Sequence, residues 1–86
     1  MIVDLHKNFK KQLAKMPKEH QEQFSKKLDI FFENPFNPIL NNHQLHGELK
    51  NKSSINITGD IRVIYEQIDK NTVLFLTIAN HSKLYD

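Results

Sequence analysis

Apolar residues near the start of the chain recur at the spacing of an α-helix. Phe9, Leu13 and Met16 fall on one side of a helix that spans residues 6–16. Pro17 is expected to end that helix, because a proline disfavours the α conformation at the residue before it. A proline also suits the first turn of a second helix, so the sequence predicts a helical hairpin.

The second predicted helix has an apolar stripe of its own, which is made by Phe24, Leu28, Phe31 and Phe32. Residues 34–38 hold two prolines and two asparagines, a composition that ends the helix and begins a loop. Ahead of the hairpin, residues 1–5 are mostly apolar and partly β-branched, which predicts a brief first strand or an ordered arm.

The apolar period then changes from that of a helix to that of a strand. Residues 54–58 alternate between polar and apolar, so one face of this strand is expected to be wet. Turn residues at 59–60 and 69–71 bound a second strand over residues 61–66. Residues 72–79 are almost entirely apolar, which predicts a central strand covered on both faces.

Helices followed by strands, with a short strand in front, predict an α+β fold in which an N-terminal helical hairpin packs on one face of a small, mostly antiparallel sheet. The 86 residues predict a single domain over residues 1–86. There is no cysteine, which excludes disulfides and thiolate metal sites. No apolar run reaches the ~20 residues that span a bilayer, and no secretory signal is visible, so a cytoplasmic protein without a membrane partner is expected.

The net charge of +2 permits a polyanionic partner without requiring one. Its distribution is more informative, because residues 7–18 contain five lysines and no acidic residue. Lys7, Lys11 and Lys15 are spaced i, i+4, i+8 and would form one basic ridge along the first helix. Such a ridge is either a solvated helix face or a contact for RNA, and Lys7 and Lys11 are candidates for the latter.

Several short motifs follow one another along the chain in a characteristic order. Residues 7–13 read KNFKKQL, 43–49 read HQLHGEL, 53–57 read SSINI, 60–65 read DIRVIY and 78–85 read IANHSKLY. Taken together, they resemble the RelE/ParE superfamily of toxins, and most closely its YafQ-like messenger RNA interferases. The likeness extends over almost the whole chain.

The resemblance implies a toxin that binds an acidic antitoxin made alongside it and, once released, cuts mRNA on the ribosome without a metal or cofactor. His43, Asp60 and His81 match catalytic residues of the YafQ-like branch, and Tyr85 stands where that branch has an aromatic residue near the scissile bond. Asn56 occupies a position where that branch has a histidine. An amide cannot transfer protons as an imidazole does, so this difference bears on activity.

The residue types fit metal-free cleavage of RNA, whose 2′-hydroxyl is the nucleophile. The reaction needs a base, an acid for the leaving 5′-oxygen and a cation near the phosphate. Imidazole suits either proton-transfer role because its unperturbed pKa is about 6.5. We expect His81 to be the general acid, Asp60 and His43 to share the base and orienting roles, and Arg62 to clamp the phosphate.

We expect these groups to converge on one concave surface. Asp60 and Arg62 are two residues apart on one strand and project from the same face, and Asn56 lies on the wet face of the neighbouring strand. Tyr85 offers a ring on which an unstacked base can rest.

Other interpretations of the same residues stay open. Asp60 follows Gly59 and is a common turn residue, Arg62 can pair with Glu66 or with the C-terminus, and Tyr85 can close the core.

For the whole chain, the alternatives are a ParE-like inhibitor of DNA gyrase, a degenerate member that only binds its antitoxin, and a metal site made by His43, His46 and His81. The sequence does not determine codon preference, ribosome dependence, the identity of the antitoxin or the oligomeric state, although a toxin–antitoxin hetero-oligomer is expected.

Overall fold

The computed structural model describes residues 1–81 of the chain. In this part of the chain two helices, α1 (Lys7–Ala14) and α2 (Lys18–Glu33), pack on one face of a five-stranded sheet. The strands are β1 (Ile2–Leu5), β2 (His43–Gln44), β3 (Lys52–Asn56), β4 (Ile61–Gln67) and β5 (Thr72–Asn80). The predicted α+β architecture is therefore confirmed.

The strands are arranged in the order β1-β5-β4-β3-β2. β2 to β5 form antiparallel pairs, whereas β1 runs parallel to β5 and pairs with it from Ile2↔Thr72 to Leu5↔Phe75. The predicted brief first strand exists, and it extends the sheet beyond β5. A parallel neighbour is possible there because the helical hairpin carries the chain across the sheet between β1 and the other strands.

The helix boundaries follow the local chemistry of the chain. The His6 side chain caps α1, because its Nδ1 accepts a hydrogen bond of 3.0 Å from the Asn8 backbone N–H. Pro17 separates the two helices as predicted, but its ψ of 148° is extended, and it lies at the N-cap of α2, one residue before the first turn in which it was expected. α2 ends at Glu33, where the predicted Asn- and Pro-rich loop begins.

The core is an aromatic cluster between the helices and the sheet. Phe9 on α1 and Phe24 and Phe31 on α2 surround Phe75 on β5 and Tyr65 on β4, with ring centroids 5.3–6.1 Å apart. Distances of this size, with tilted or edge-to-face planes, are favourable for aromatic pairs.

Two details of the sequence prediction differ from the structure. Phe32 is 46 % exposed and does not belong to the buried stripe of α2, because it faces away from the sheet. β5 lies inside the sheet as expected but is not covered on both faces. Val73, Phe75 and Ile78 are buried beneath the helices, whereas Leu74 is only half-buried.

α1 protects the part of β5 that β1 leaves unpaired. β1 reaches only as far as Phe75. Beyond it, the Gln12 side chain of α1 accepts hydrogen bonds from the Ile78 backbone N–H, at 2.9 Å, and from the Thr77 hydroxyl, at 3.0 Å. These bonds satisfy an edge amide that would otherwise have no sheet partner, and they fix the lysine-bearing helix beside the end of β5.

Candidate active site on the second face of the sheet

The sheet has a second face, opposite the helices, which we call the distal face and which carries His43, Ser54, Asn56, Arg62 and Ile64. The assignment follows from the alternation of side chains along a strand, since Ile55, Val63 and Tyr65 belong to the core on the helical side. His43 shares the face of Ser54, because residues directly opposite in an antiparallel pair project to the same side. The polar residues predicted for one side of β3 therefore do lie on one face, but Ser54 and Ile64 are buried there, so the prediction of a wet face is only partly correct.

Strand register brings three candidate residues of the distal face into neighbouring positions. Asn56 lies directly opposite Arg62 across β3 and β4. His43 lies opposite Ser54, which makes it the diagonal neighbour of Asn56. Diagonal neighbours in an antiparallel pair are about 7–8 Å apart, a distance that long side chains can bridge. His43, Asn56 and Arg62 thus form a continuous polar series across three strands.

The turn between β3 and β4 is held by Thr58 and Arg62. The Thr58 hydroxyl accepts hydrogen bonds from the backbone N–H groups of Asp60, at 3.2 Å, and Ile61, at 3.1 Å. The Arg62 guanidinium donates from Nη1 to the carbonyl oxygens of Thr58, at 2.9 Å, and Gly59, at 2.8 Å. Arg62 therefore supports this turn, a role that the sequence analysis did not assign to it.

Asp60 stands at the tip of this turn with its side chain exposed. In residues 1–81 its carboxylate makes no hydrogen bond or salt bridge, so the Thr58 hydroxyl, rather than Asp60, stabilises the turn. The alternative in which the Asp60 carboxylate serves the turn is not what the structure shows. The turn therefore exposes the Asp60 carboxylate, and the carboxylate itself does not contribute to holding the turn.

His81 lies directly beside Asp60. The register of β4 and β5 places Ile61 opposite Asn80, and the next residue, His81, donates its backbone N–H to the Asp60 carbonyl oxygen at 2.6 Å. Asp60 and His81, which are 21 positions apart in the chain, thus meet at one end of the sheet. This is the closest approach that the structure makes between two of the predicted catalytic residues.

His43 does not join that pair. β3 and β4 separate β2 from β5, so at about 4.8 Å per strand the backbones of His43 and His81 are about 14 Å or more apart across the sheet. His43 Nδ1 lies 2.8 Å from the Asn41 carbonyl oxygen, which holds the ring near its own strand. The prediction that all of these groups converge is therefore wrong. Asp60 and His81 lie side by side, whereas His43 lies at the other side of the distal face.

A hydrogen-bonded pair anchors the strand that carries His43. Asn42 Nδ2 donates to the Tyr65 hydroxyl at 2.8 Å and to the Pro35 carbonyl oxygen at 2.9 Å, and the Tyr65 hydroxyl lies 3.0 Å from Asn42 Oδ1. Tyr65 is buried, so this bond ties β2 to the aromatic core. The sequence analysis missed Asn42, because nothing in its local pattern indicates a partner 23 residues away.

Two buried polar atoms of the distal face have no hydrogen-bond partner in the part of the chain that the structure describes. They are Ser54 Oγ and Asn56 Oδ1, two residues apart on β3. Unpaired buried polar atoms are rare in folded proteins because each loses its hydration without replacement. Ser54 lies opposite His43 and Asn56 opposite Arg62, so both orphan atoms belong to the candidate site.

The other residues named in the sequence analysis lie away from the Asp60–His81 pair or outside the described residues. Lys7 and Lys11 are exposed on α1, and His46 is exposed at the start of the short helical turn Gly47–Leu49. Glu66 forms its salt bridge with Lys52, at 3.7 Å, rather than with Arg62. Tyr85 lies outside the described residues.

No group of three or more His, Asp or Glu side chains in residues 1–81 is arranged to hold a metal ion. Over the same residues, no helix is both long and apolar enough to cross a bilayer.

The sequence matches one known protein family over residues 1–86. The model of the family described as "Bacterial toxin of type II toxin-antitoxin system, YafQ" matches residues 1–86. The chain belongs to this family. No curated protein matches the sequence significantly.

Solved structures of this toxin class are similar to the YafQ-family fold seen here. YafQ from E. coli strain BL21(DE3) is 18 % identical with a TM-score of 0.81, and the match covers 98 % of this chain and 97 % of that chain. The archaeal RelE–RelB complex from Pyrococcus horikoshii OT3 contains a chain that is 24 % identical with a TM-score of 0.74, covering 95 % and 96 %. The E. coli DinJ–YafQ toxin–antitoxin complex gives 18 % and 0.77, covering 98 % and 96 %. At these identities the structural matches support the fold, while the family model supports the class of toxin.

Proposed function

We propose that this YafQ-family toxin is a metal-free endoribonuclease that cleaves mRNA on the ribosome in the cytoplasm. The observation that carries the proposal is the meeting of Asp60 and His81, at 2.6 Å between backbone atoms, beside the polar series of the distal face. The Asp60 carboxylate, which makes no hydrogen bond or salt bridge with residues 1–81, and an imidazole brought beside it from a distant part of the chain are suited to moving two protons in one reaction.

The chemistry needs no group from outside the chain. A base, for which Asp60 and His43 are the candidates, takes the proton from the 2′-hydroxyl. The resulting alkoxide attacks the adjacent phosphorus, and the bond from phosphorus to the 5′-oxygen breaks. His81 gives its proton to that oxygen, so the products are a 2′,3′-cyclic phosphate and a free 5′-hydroxyl. Negative charge on the phosphate oxygens grows during this step, and a nearby cation stabilises it.

Arg62 can supply that cation while it holds the turn. The two hydrogen bonds that its side chain makes within residues 1–81 come from one nitrogen, Nη1, and a guanidinium has five N–H donors. The other nitrogens remain for a phosphate oxygen. Lys7 and Lys11 extend the positive charge along the neighbouring helix, and Tyr85 is proposed to stack on a base next to the cut.

A protein partner is part of the proposal. In the matched structures, E. coli YafQ is in complex with DinJ and Pyrococcus RelE is in complex with RelB. We expect this chain to bind a cognate acidic antitoxin, encoded beside it, in a hetero-oligomer that keeps the toxin silent. Release of that antitoxin would expose the basic helix and the distal face.

One observation favours a second candidate, a member that binds its antitoxin but cleaves RNA weakly or not at all. Asn56 stands in the centre of the polar series where the YafQ-like branch has an imidazole, and its buried Oδ1 has no hydrogen-bond partner among residues 1–81. An amide at this position cannot share a proton-transfer role, and the remaining groups are spread across the sheet. This candidate and the nuclease differ in a single measurable property, the cleavage of RNA.

The test is to express the chain in a translating lysate and to map the 5′ ends of mRNA. We expect codon-phased cuts with the wild-type chain and none with His81→Gln. His46→Gln is the matched control, because it makes the same chemical change at an exposed histidine away from the Asp60–His81 pair. If the wild-type chain adds no 5′ ends to those of lysate without the chain, the nuclease proposal is wrong and the antitoxin-binding candidate takes its place. If His81→Gln cuts as the wild-type chain does, His81 is not the general acid.

A further inference from the structure

A groove on the helical side of the molecule begins where the candidate active site ends. It has a volume of about 410 Å³ and lies between the α1–α2 turn and the ends of β4 and β5. Met16, Ile61 and Ile78 contribute apolar lining, while Lys15 and His20 lie among its polar residues. The volume falls within the roughly 300–1,000 Å³ that is usual for ligand pockets.

The groove is continuous in sequence and register with Asp60 and His81. Ile61, which lines the groove, directly follows Asp60. Asn80, which also lines it, directly precedes His81 and is the register partner of Ile61. A ligand that reaches the Asp60–His81 pair from the distal face therefore needs to pass only over the ends of β4 and β5 to enter the groove.

Charge around the groove favours a polyanion. Lys7, Lys11 and Lys15 are exposed and form the i, i+4, i+8 ridge along α1. Lys15, the last residue of this ridge, lines the groove. Within residues 1–81 none of these lysines lies within salt-bridge distance of a carboxylate, and residues 7–18 include no acidic residue at all. Unneutralised lysines beside an apolar floor match the two parts of a nucleotide, a flat base and a charged phosphate.

We propose that this groove is a subsite for the nucleotide on the 3′ side of the cleaved bond. The inference rests on the proposed nuclease function. His81 is the proposed acid for the leaving 5′-oxygen, and that oxygen belongs to the downstream nucleotide. The downstream base therefore emerges beside His81, next to the groove, and its 3′-phosphate lies towards Lys15. Single-stranded RNA is commonly bound through splayed bases of this kind.

The test uses short RNA strands that carry a 2′-deoxy residue at the cut position, so that no nucleophile is present. Two strands are compared, one that ends at the scissile phosphate and one that continues by a single nucleotide carrying its own 3′-phosphate. NMR spectra of the methyl groups of Met16 and Ile78 report on the groove, and the amides of Asn56 and Arg62 report on the distal face. We expect both strands to shift the distal-face signals and only the longer strand to shift the groove signals.

Affinity gives an independent reading. Lys15→Glu is expected to weaken binding of the longer strand by about threefold or more while changing that of the shorter strand less, because it adds repulsion at the downstream phosphate. Lys26→Glu is the matched control, since Lys26 is exposed on α2 and does not line the groove. Equal losses for the two variants would overturn the subsite.

The outcomes separate the subsite from the function on which it rests. Distal-face shifts with silent groove methyls would overturn the subsite and leave the nuclease proposal standing. If neither region responds to RNA, binding of RNA itself fails, and both are overturned. A third outcome is that the groove responds only to a peptide from the tail of the antitoxin encoded next to this chain. In that case the groove is a protein interface, and the nucleotide assignment is wrong.

Discussion

Arg62 offers the sharpest test of how the turn that presents Asp60 is held in place. Its Nη1 donates to the carbonyl oxygens of Thr58 and Gly59, at 2.9 and 2.8 Å. Lysine keeps the positive charge, but its ammonium ends a shorter and more flexible side chain and is not held at the position of Nη1. Arg62→Lys is therefore expected to loosen the β3–β4 turn while leaving the net charge of the protein unchanged.

The expected magnitude follows from the two bonds. A hydrogen bond to a charged group contributes about 1.5–3 kcal/mol, and the two bonds here share one donor nitrogen on a half-buried side chain. We expect a loss of about 1–2 kcal/mol in the free energy of unfolding. For a domain of this size, that loss corresponds to a fall of about 5–15 °C in Tm. An 86-residue domain has only about 4–13 kcal/mol in total, so the effect is measurable.

Urea unfolding followed by circular dichroism measures the loss, and the amide shifts of Asp60 and His81 show whether the turn has moved. Lys52→Ala is a suitable control, because it breaks the exposed Lys52–Glu66 salt bridge of 3.7 Å and should cost less than about 1 kcal/mol. If Arg62→Lys is as stable as wild type and leaves both amides unshifted, the guanidinium does not hold the turn.

Three further predictions concern the core and the site. Phe75→Ala removes a ring with no exposed surface that packs against four others, so we expect a loss of about 3–5 kcal/mol in unfolding free energy, measured by urea denaturation. Asn42→Ala leaves the hydroxyl of Tyr65 without its partner and should cost about 1–3 kcal/mol; adding Tyr65→Phe should recover part of that loss, and a strictly additive double variant would contradict this explanation. Asn56→His places an imidazole between His43 and Arg62 and, on the proposed nuclease function, should raise the rate of mRNA cleavage in lysate at least about tenfold; an unchanged or lower rate would show that Asn56 does not limit the proposed cleavage.

Hydrophobic periodicity in the sequence was sufficient to predict most of the elements. The spacing of Phe9, Leu13 and Met16, together with Pro17, determined the helical hairpin, and the alternation around Ile55 determined which side of β3 is polar. These are local properties, because the side-chain directions of a helix or a strand depend only on position along the element. The motifs at 43–49, 60–65 and 78–85 indicated the correct family for the same reason, since they are read along the chain.

Other features required the strands to be paired. No local pattern shows that β1 lies parallel to β5 at the edge of the sheet, or that Leu74 is only half-buried. The first depends on which strands pair, and the second on which elements cover β5. Arg62 holds the β3–β4 turn and is also the proposed cation for the phosphate, and the first of these roles depends on the geometry of the turn. One local pattern does indicate how this turn is held: Thr58 precedes Gly59 and Asp60, which is typical of a turn capped by a hydroxyl.

The candidate site shows the same division. The sequence predicted catalytic roles for Asp60 and His81 from their side-chain chemistry, but residue type carries no information about distance. Register between β4 and β5 brought these two residues together, and the sheet order left His43 at the far side of the distal face. Side-chain chemistry is a property of each residue by itself, whereas proximity between distant residues exists only after the strands have paired and the core has closed around Phe75.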